Sequence, residues 1–173
     1  MPLYTDTLLS LAEIAAAFAG FAALVSVIRR STNQPAEAAH DLLRLRLVIG
    51  GSVAGVAAAL VPVGLQAYAL DPAVTWRVAS ALFLVFDNSI LASFVGAYQP
   101  VRGSFPPDRL AVSVVMTLEV LEQVSLACVV LGLFAGSAPA LYVTALIANL
   151  CQAGFIFVRF VGSAFRAELD PAD

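Results

Sequence analysis

The sequence contains no lysine. All nine of its cationic residues are arginine, which excludes Schiff-base chemistry and attachment of a retinal-type chromophore through a lysine amine. Histidine occurs once, as His40, in a polar segment beside Asp41. A haem site, a zinc cluster or a Ser-His-Asp triad needs more partners than that, and His40 reads as a solvated residue. The two cysteines, Cys128 and Cys151, lie in apolar runs without CxxC spacing. They read as free thiols, not as a redox pair or metal site. Charge is scarce as well: 12% of 173 residues, net −3, against about 25% in soluble domains. With no basic field to neutralise phosphates, a nucleic-acid partner is excluded. Neither a nucleophile–base pair nor a Gly-rich phosphate loop is present, so the chain does not read as an enzyme and no cofactor is expected.

What the sequence has instead is hydrophobicity: 61% apolar residues and a mean hydropathy of +0.92. The length suits one domain, residues 1–173. Five apolar stretches, at about 8–28, 47–70, 74–98, 110–134 and 138–161, are each long enough to cross a hydrocarbon core of roughly 20 residues. The expected fold is an all-α, polytopic bundle of five spans. Asp71-Pro72 is a cap followed by proline at the first helical position, so the second and third spans form a tight hairpin. Ala135-Gly136-Ser137 joins the fourth and fifth, with Ser137 as the expected cap. "QPVRGSFPPDR" at 99–109 is a loop, and "STNQPAEAAHDLLRLR" at 31–46 starts as loop and becomes a helical extension of the second span.

Arginine placement sets the expected orientation. Arg29, Arg30, Arg44, Arg46, Arg102, Arg109, Arg159 and Arg166 share one side in a five-helix topology, and only Arg77 falls on the other. That places the N-terminus outside, the C-terminus inside, and the chain in a plasma (bacterial inner) membrane. MPLYTD carries no positive charge ahead of the first apolar run, so helix 1 reads as a retained span. Trp76 and Tyr68 read as interfacial anchors.

Inside these apolar runs sit unexpected acids. Asp87, Glu119 and Glu122 lie near the middle of the third and fourth spans, by a rise of about 1.5 Å per residue. Asn149 and Gln152 lie at similar depth in the fifth. Glu119 and Glu122 are three apart and share a helix face, as do Asn149 and Gln152. The layer holds three acids and no base. An ionisable residue at the centre of a span costs about 2.5–3.5 kcal/mol on insertion scales, so these acids must be protonated, bind a cation or face water. Either they handle a cation or proton, or as neutral carboxyls they hydrogen-bond Asn149, Gln152, Gln123 and Ser125 as interhelical glue.

A second polar layer brings Glu13 near one end of helix 1 to the depth of Arg77 on helix 3. An ion pair is one expectation for them. The other is an entrance at which repeated Glu13 side chains attract cations. Ala16 and Gly20 form a small-xxx-small pair on the Glu13 face, which permits close approach of another helix. Pro62 and Gly64 read as a kink in helix 2. The function expected from these features is a homo-oligomeric membrane channel or transporter for a small cation or proton. Its ion pathway would run through Asp87, Glu119, Glu122, Asn149 and Gln152, with Glu13 and Arg77 at the outer entrance. The alternative is a non-transporting membrane scaffold or partner-binding subunit whose polar layer only packs helices.

Overall fold

In a bilayer, backbone groups find no water, so a long apolar run satisfies them internally as a helix. Five α-helices form among the described residues: α1 (Pro2–Ile28), α2 (Pro35–Gln66), α3 (Pro72–Tyr98), α4 (Arg109–Val130) and α5 (Ala138–Leu169). The computed structural model describes residues 2–28, 35–104, 106 and 108–169, with side chains in 4–27, 42–100, 102–104, 106 and 108–162. All five helices are long and apolar enough to span a membrane. The architecture is that of an all-helical, multi-pass membrane protein. The side chains of His40, Arg29, Arg30 and Arg166 lie outside the described residues.

Helix ends refine the sequence limits. α1 begins at Pro2 rather than 8, and α2 begins at Pro35, so the extension expected before the second span is helical. α2 stops at Gln66 rather than 70, because Ala67, Tyr68 and Ala69 turn back on the carbonyls of Gly64, Leu65 and Gln66. α3 starts as expected, with the Ala73 amide donating to Asp71 Oδ1 at 2.8 Å. α4 stops at Val130 rather than 134. The Leu133 amide donates to the Cys128 carbonyl and the Gly132 amide to that of Val129, with Gly132 at φ +73°. This is a Schellman stop, and it needs a residue that tolerates left-handed backbone. Left-handed Phe134 then leads through a 3-10 turn (Ala135–Ser137) into α5. The expected Ser137 side-chain cap is not formed among the described hydrogen bonds, because Ser137 is already inside that turn.

α2 and α5 occupy the middle of the bundle: α1 packs on both of them, α3 packs on α2, on α4 and more lightly on α5, and α4 packs on α5. Towards the hairpin-turn end the interior is solid. Trp76, Phe83 and Tyr142 meet with ring centroids 5.4 and 6.2 Å apart, and Leu8, Ala12, Ala58, Leu126 and Leu146 close around them. One polar contact there follows directly from the sequence. Pro62 lies inside α2 and has no N–H to give the carbonyl four residues back, at Ala58. The fully buried Tyr142 hydroxyl donates to that Ala58 carbonyl at 2.6 Å. The proline's missing bond is thus replaced from α5, and α2 and α5 are tied together where hydrocarbon offers no other donor.

Candidate functional site

Towards the arginine-bearing end, the interior opens. A cavity of about 480 Å³ lies between α2, α3, α4 and α5. Its walls are apolar, with Leu47, Ile90, Leu91, Phe94, Val112, Val115, Met116 and Ile156 among them. Arg44, Tyr98, Ser104, Asp108 and Arg159 also line it. Gly51, Asp87, Glu119, Asn149 and Gln152 line it near the middle of the bundle.

At that deep end Asp87, Glu119 and Glu122 each turn one carboxylate oxygen to a common point, all within 4.8 Å of one another. Asp87 is 7% exposed, Glu119 8% and Glu122 0%. Helical spacing explains the convergence. Glu119 and Glu122 are three apart on α4, and Gln123, four from Glu119, comes to the same face. Gln123 Nε2 donates to Glu119 Oε1 at 2.9 Å within α4 and to Asp87 Oδ2 at 2.8 Å across to α3. Its amide cannot turn round, because Gln123 Oε1 accepts from Asn88 Nδ2 at 3.1 Å. Asn88 in turn is anchored by donating to the Leu84 carbonyl at 2.8 Å. From α5, Gln152 Nε2 donates to Glu122 Oε2 at 3.2 Å.

Two acceptors in this layer lack a short hydrogen bond, although the Asn149 side chain lies beside the Glu122 carboxyl. Glu122 Oε1 and Asn149 Oδ1 are both buried and lack a hydrogen bond. In a low-dielectric interior such orphaned oxygens are expensive and call for an explanation. Asn149 is seated by glycine: a Cβ on Gly55 would stand 3.2 Å from Asn149 Oδ1, and one on Gly51 would stand 4.0 Å from its Nδ2. The Gly51–Gly55 pair, four apart in α2, lets the amide lie against that helix backbone.

At the arginine-bearing end, Asp108 caps α4 by accepting from the Leu110 amide at 2.9 Å. Its other oxygen accepts from Arg159 on α5 in an ion pair. The Leu110 amide first, and Arg159 next, hold the Asp108 carboxyl below the usual aspartate value. Arg159 also lies over the Phe155 ring, 5.8 Å from its centroid.

All five residues expected on an ion pathway therefore meet around the deep end of the cavity. They do so within one chain. The expected Glu13–Arg77 ion pair is corrected: none is present among the described residues. α1 docks on α2 and α5, and Glu13 is exposed on its far flank, near the middle of the Tyr4–Val27 span. Arg77 instead lies over the end of α4, its guanidinium occupying the space that a Cβ on Gly132 would take. The negative end of the α4 dipole favours a cation there. Sequence reasoning named Gln123 as a hydrogen-bond partner of the acids but missed Asn88, which orients it, and the seat at Gly51 and Gly55. The Gly-x-x-x-Gly spacing was the available cue for the latter.

Comparison with protein-family models, with curated proteins and with solved structures gives no match to this chain.

Proposed function

We propose that this protein is a transporter or channel that moves a small cation or proton across a membrane through its intramembrane carboxylates. The observation that carries the reading is the position of Asp87 and Glu119 at the deep end of a cavity reaching to one end of the bundle, with the fully buried Glu122 against them. Buried acids that serve only packing gain nothing from a cavity leading to them. The other end is filled by Trp76, Phe83 and Tyr142. A site open from one side and plugged from the other favours a transporter over a permanently open channel.

In the orientation that the arginines favour, the cavity opens to the cytoplasm and the plug faces outward, in a plasma membrane. Reaction of an engineered cysteine at position 3 with an impermeant reagent from outside tests that orientation. Protection there, with labelling at position 170, would reverse it. The exposed α1 flank bearing Ser10, Glu13, Ala16 and Gly20 is the surface on which copies of the chain would associate.

The test of function is flux. Purified protein in liposomes should dissipate at least one of K⁺, Na⁺, Ca²⁺ or H⁺ gradients. Vesicles that stay tight to all four contradict the proposal. The second reading is a non-transporting scaffold. It is favoured by the Gln123 and Gln152 bonds, which link α3 to α4 and α4 to α5 whatever else the acids do.

A further inference from the structure

We infer that the acid layer is a binding site for a hard divalent cation of the Ca²⁺, Mg²⁺ or Mn²⁺ class, held by Asp87, Glu119 and Glu122. The inference rests on the reading of these acids as a cation-handling site and names the class of ion.

Spacing is the first argument. Oxygens that ligate one Ca²⁺ at about 2.3–2.6 Å are at most about 5 Å apart, and those on Mg²⁺ at about 2.0–2.1 Å are at most about 4 Å apart. The three carboxylates offer oxygens all within 4.8 Å of one another, inside the Ca²⁺ limit, while the smaller Mg²⁺ would draw them closer.

Donor type is the second. The polar groups around the point are oxygens and amides, and among the described residues neither cysteine nor histidine lines the cavity. A set of hard oxygens selects Ca²⁺, Mg²⁺ and Mn²⁺ over Zn²⁺ or Cu⁺.

The third is the pair of orphaned acceptors. Glu122 Oε1 and Asn149 Oδ1 are buried without a hydrogen bond, and Asn149, 4% exposed, lines the same cavity end as Asp87 and Glu119. An acceptor-only oxygen in such a place is satisfied by a cation or by a donor that an ion brings with it, such as bound water.

Charge selects the valence. Three ionised carboxylates around a monovalent ion would leave two uncompensated negative charges in a low dielectric, whereas a divalent ion leaves one. Bonds from Gln123 to Asp87 and Glu119 and from Gln152 to Glu122 disperse that remainder and fix the carboxylates in place, as outer-shell partners do in metal sites.

The test uses Mn²⁺ as the probe. Purified full-length protein in phosphatidylcholine nanodiscs, whose lipid carries no net charge, is titrated with Mn²⁺ and followed by electron paramagnetic resonance. The expected result is one Mn²⁺ per chain, displaced by Ca²⁺ or Mg²⁺ and not by Na⁺. Affinity should fall at least about tenfold in Glu122→Gln and in Asp87→Asn, and stay unchanged in Asp6→Asn. Should the amide variants fail to fold, wild type alone gives the answer: Mn²⁺ should slow carbodiimide labelling of Asp87, Glu119 and Glu122, read by mass spectrometry. Absence of binding at millimolar Mn²⁺, binding indifferent to the amide variants, or labelling that Mn²⁺ does not slow would each overturn the inference. Proton or Na⁺ flux without Mn²⁺ binding leaves the transport proposal standing and removes the divalent ion. Mn²⁺ binding without flux of any ion does the reverse.

Discussion

Gln123 donates its amide to Asp87 across the α3–α4 interface, at 2.8 Å. The same nitrogen also holds Glu119, so one neutral side chain positions two acids that would otherwise repel. Gln123→Leu removes both bonds and the Asn88 contact. Interhelical hydrogen bonds in membranes are worth about 0.6 kcal/mol on average and about 1.7 at most. Unfolding in mixed micelles should therefore show a loss of about 1–2 kcal/mol, and flux should fall with it. A variant that matches wild type in both would contradict the positioning role.

Tyr142→Phe should destabilise the protein by about 1–3 kcal/mol, the cost of leaving a buried acceptor unpaired. The acceptor is the Ala58 carbonyl that Pro62 leaves without a helical partner. Pro62→Ala restores an N–H that can reach this carbonyl, so in that background Tyr142→Phe should cost less. A double-mutant cycle measures the difference, and additivity within about 0.5 kcal/mol would disprove the coupling.

Gly55→Ala should separate stability from function. Alanine is favoured over glycine inside a helix by about 1 kcal/mol, which offsets the close contact of its Cβ with Asn149. The melting midpoint should change little, while displacement of Asn149 weakens cation binding. Equal losses of stability and binding would place Gly55 in general packing instead.

At the arginine-bearing end, stability should depend on pH through Asp108. Its folded pKa lies below the ordinary value of 3.8. The stabilisation from the cap and the ion pair is therefore complete above the ordinary value and is lost as pH falls through the lower folded one. At pH 7 the order of melting midpoints should be wild type, then Asp108→Asn, which keeps a cap, then Asp108→Ala. The gap between wild type and Asp108→Ala should narrow towards pH 3. A gap of constant size across that range would contradict the assignment.

Much of this was legible in the sequence because hydrophobic run length and helix punctuation are local. Asp71-Pro72 gave a helix start that the structure reproduces, and the acids of "TLEVLEQ" had to converge once helical periodicity put Glu119 and Glu122 on one face. What was not legible depends on which helix sits beside which. Glu13 and Arg77 share a polar character in the sequence, yet α1 docks on α2 and α5, while Arg77 turns to the end of α4. The end of α4 was overestimated because Leu131, Leu133 and Phe134 are apolar, and a hydropathy window does not sense the left-handed backbone at Gly132. The cavity was equally invisible. It arises from how four helices are spaced, not from the residues along any one of them.

The most direct measurement is cation flux in proteoliposomes for wild type and Glu122→Gln, with the thermal stability of both recorded on the same preparations. A carboxyl and an amide are nearly isosteric, but only the carboxyl releases a proton or carries the charge that binds a cation. The expected result is measurable wild-type flux that Glu122→Gln abolishes or strongly alters, with stability unchanged or raised because a buried charge is gone. Vesicles that stay tight with wild type, together with a less stable amide variant, would show that the acids serve only to hold the helices together.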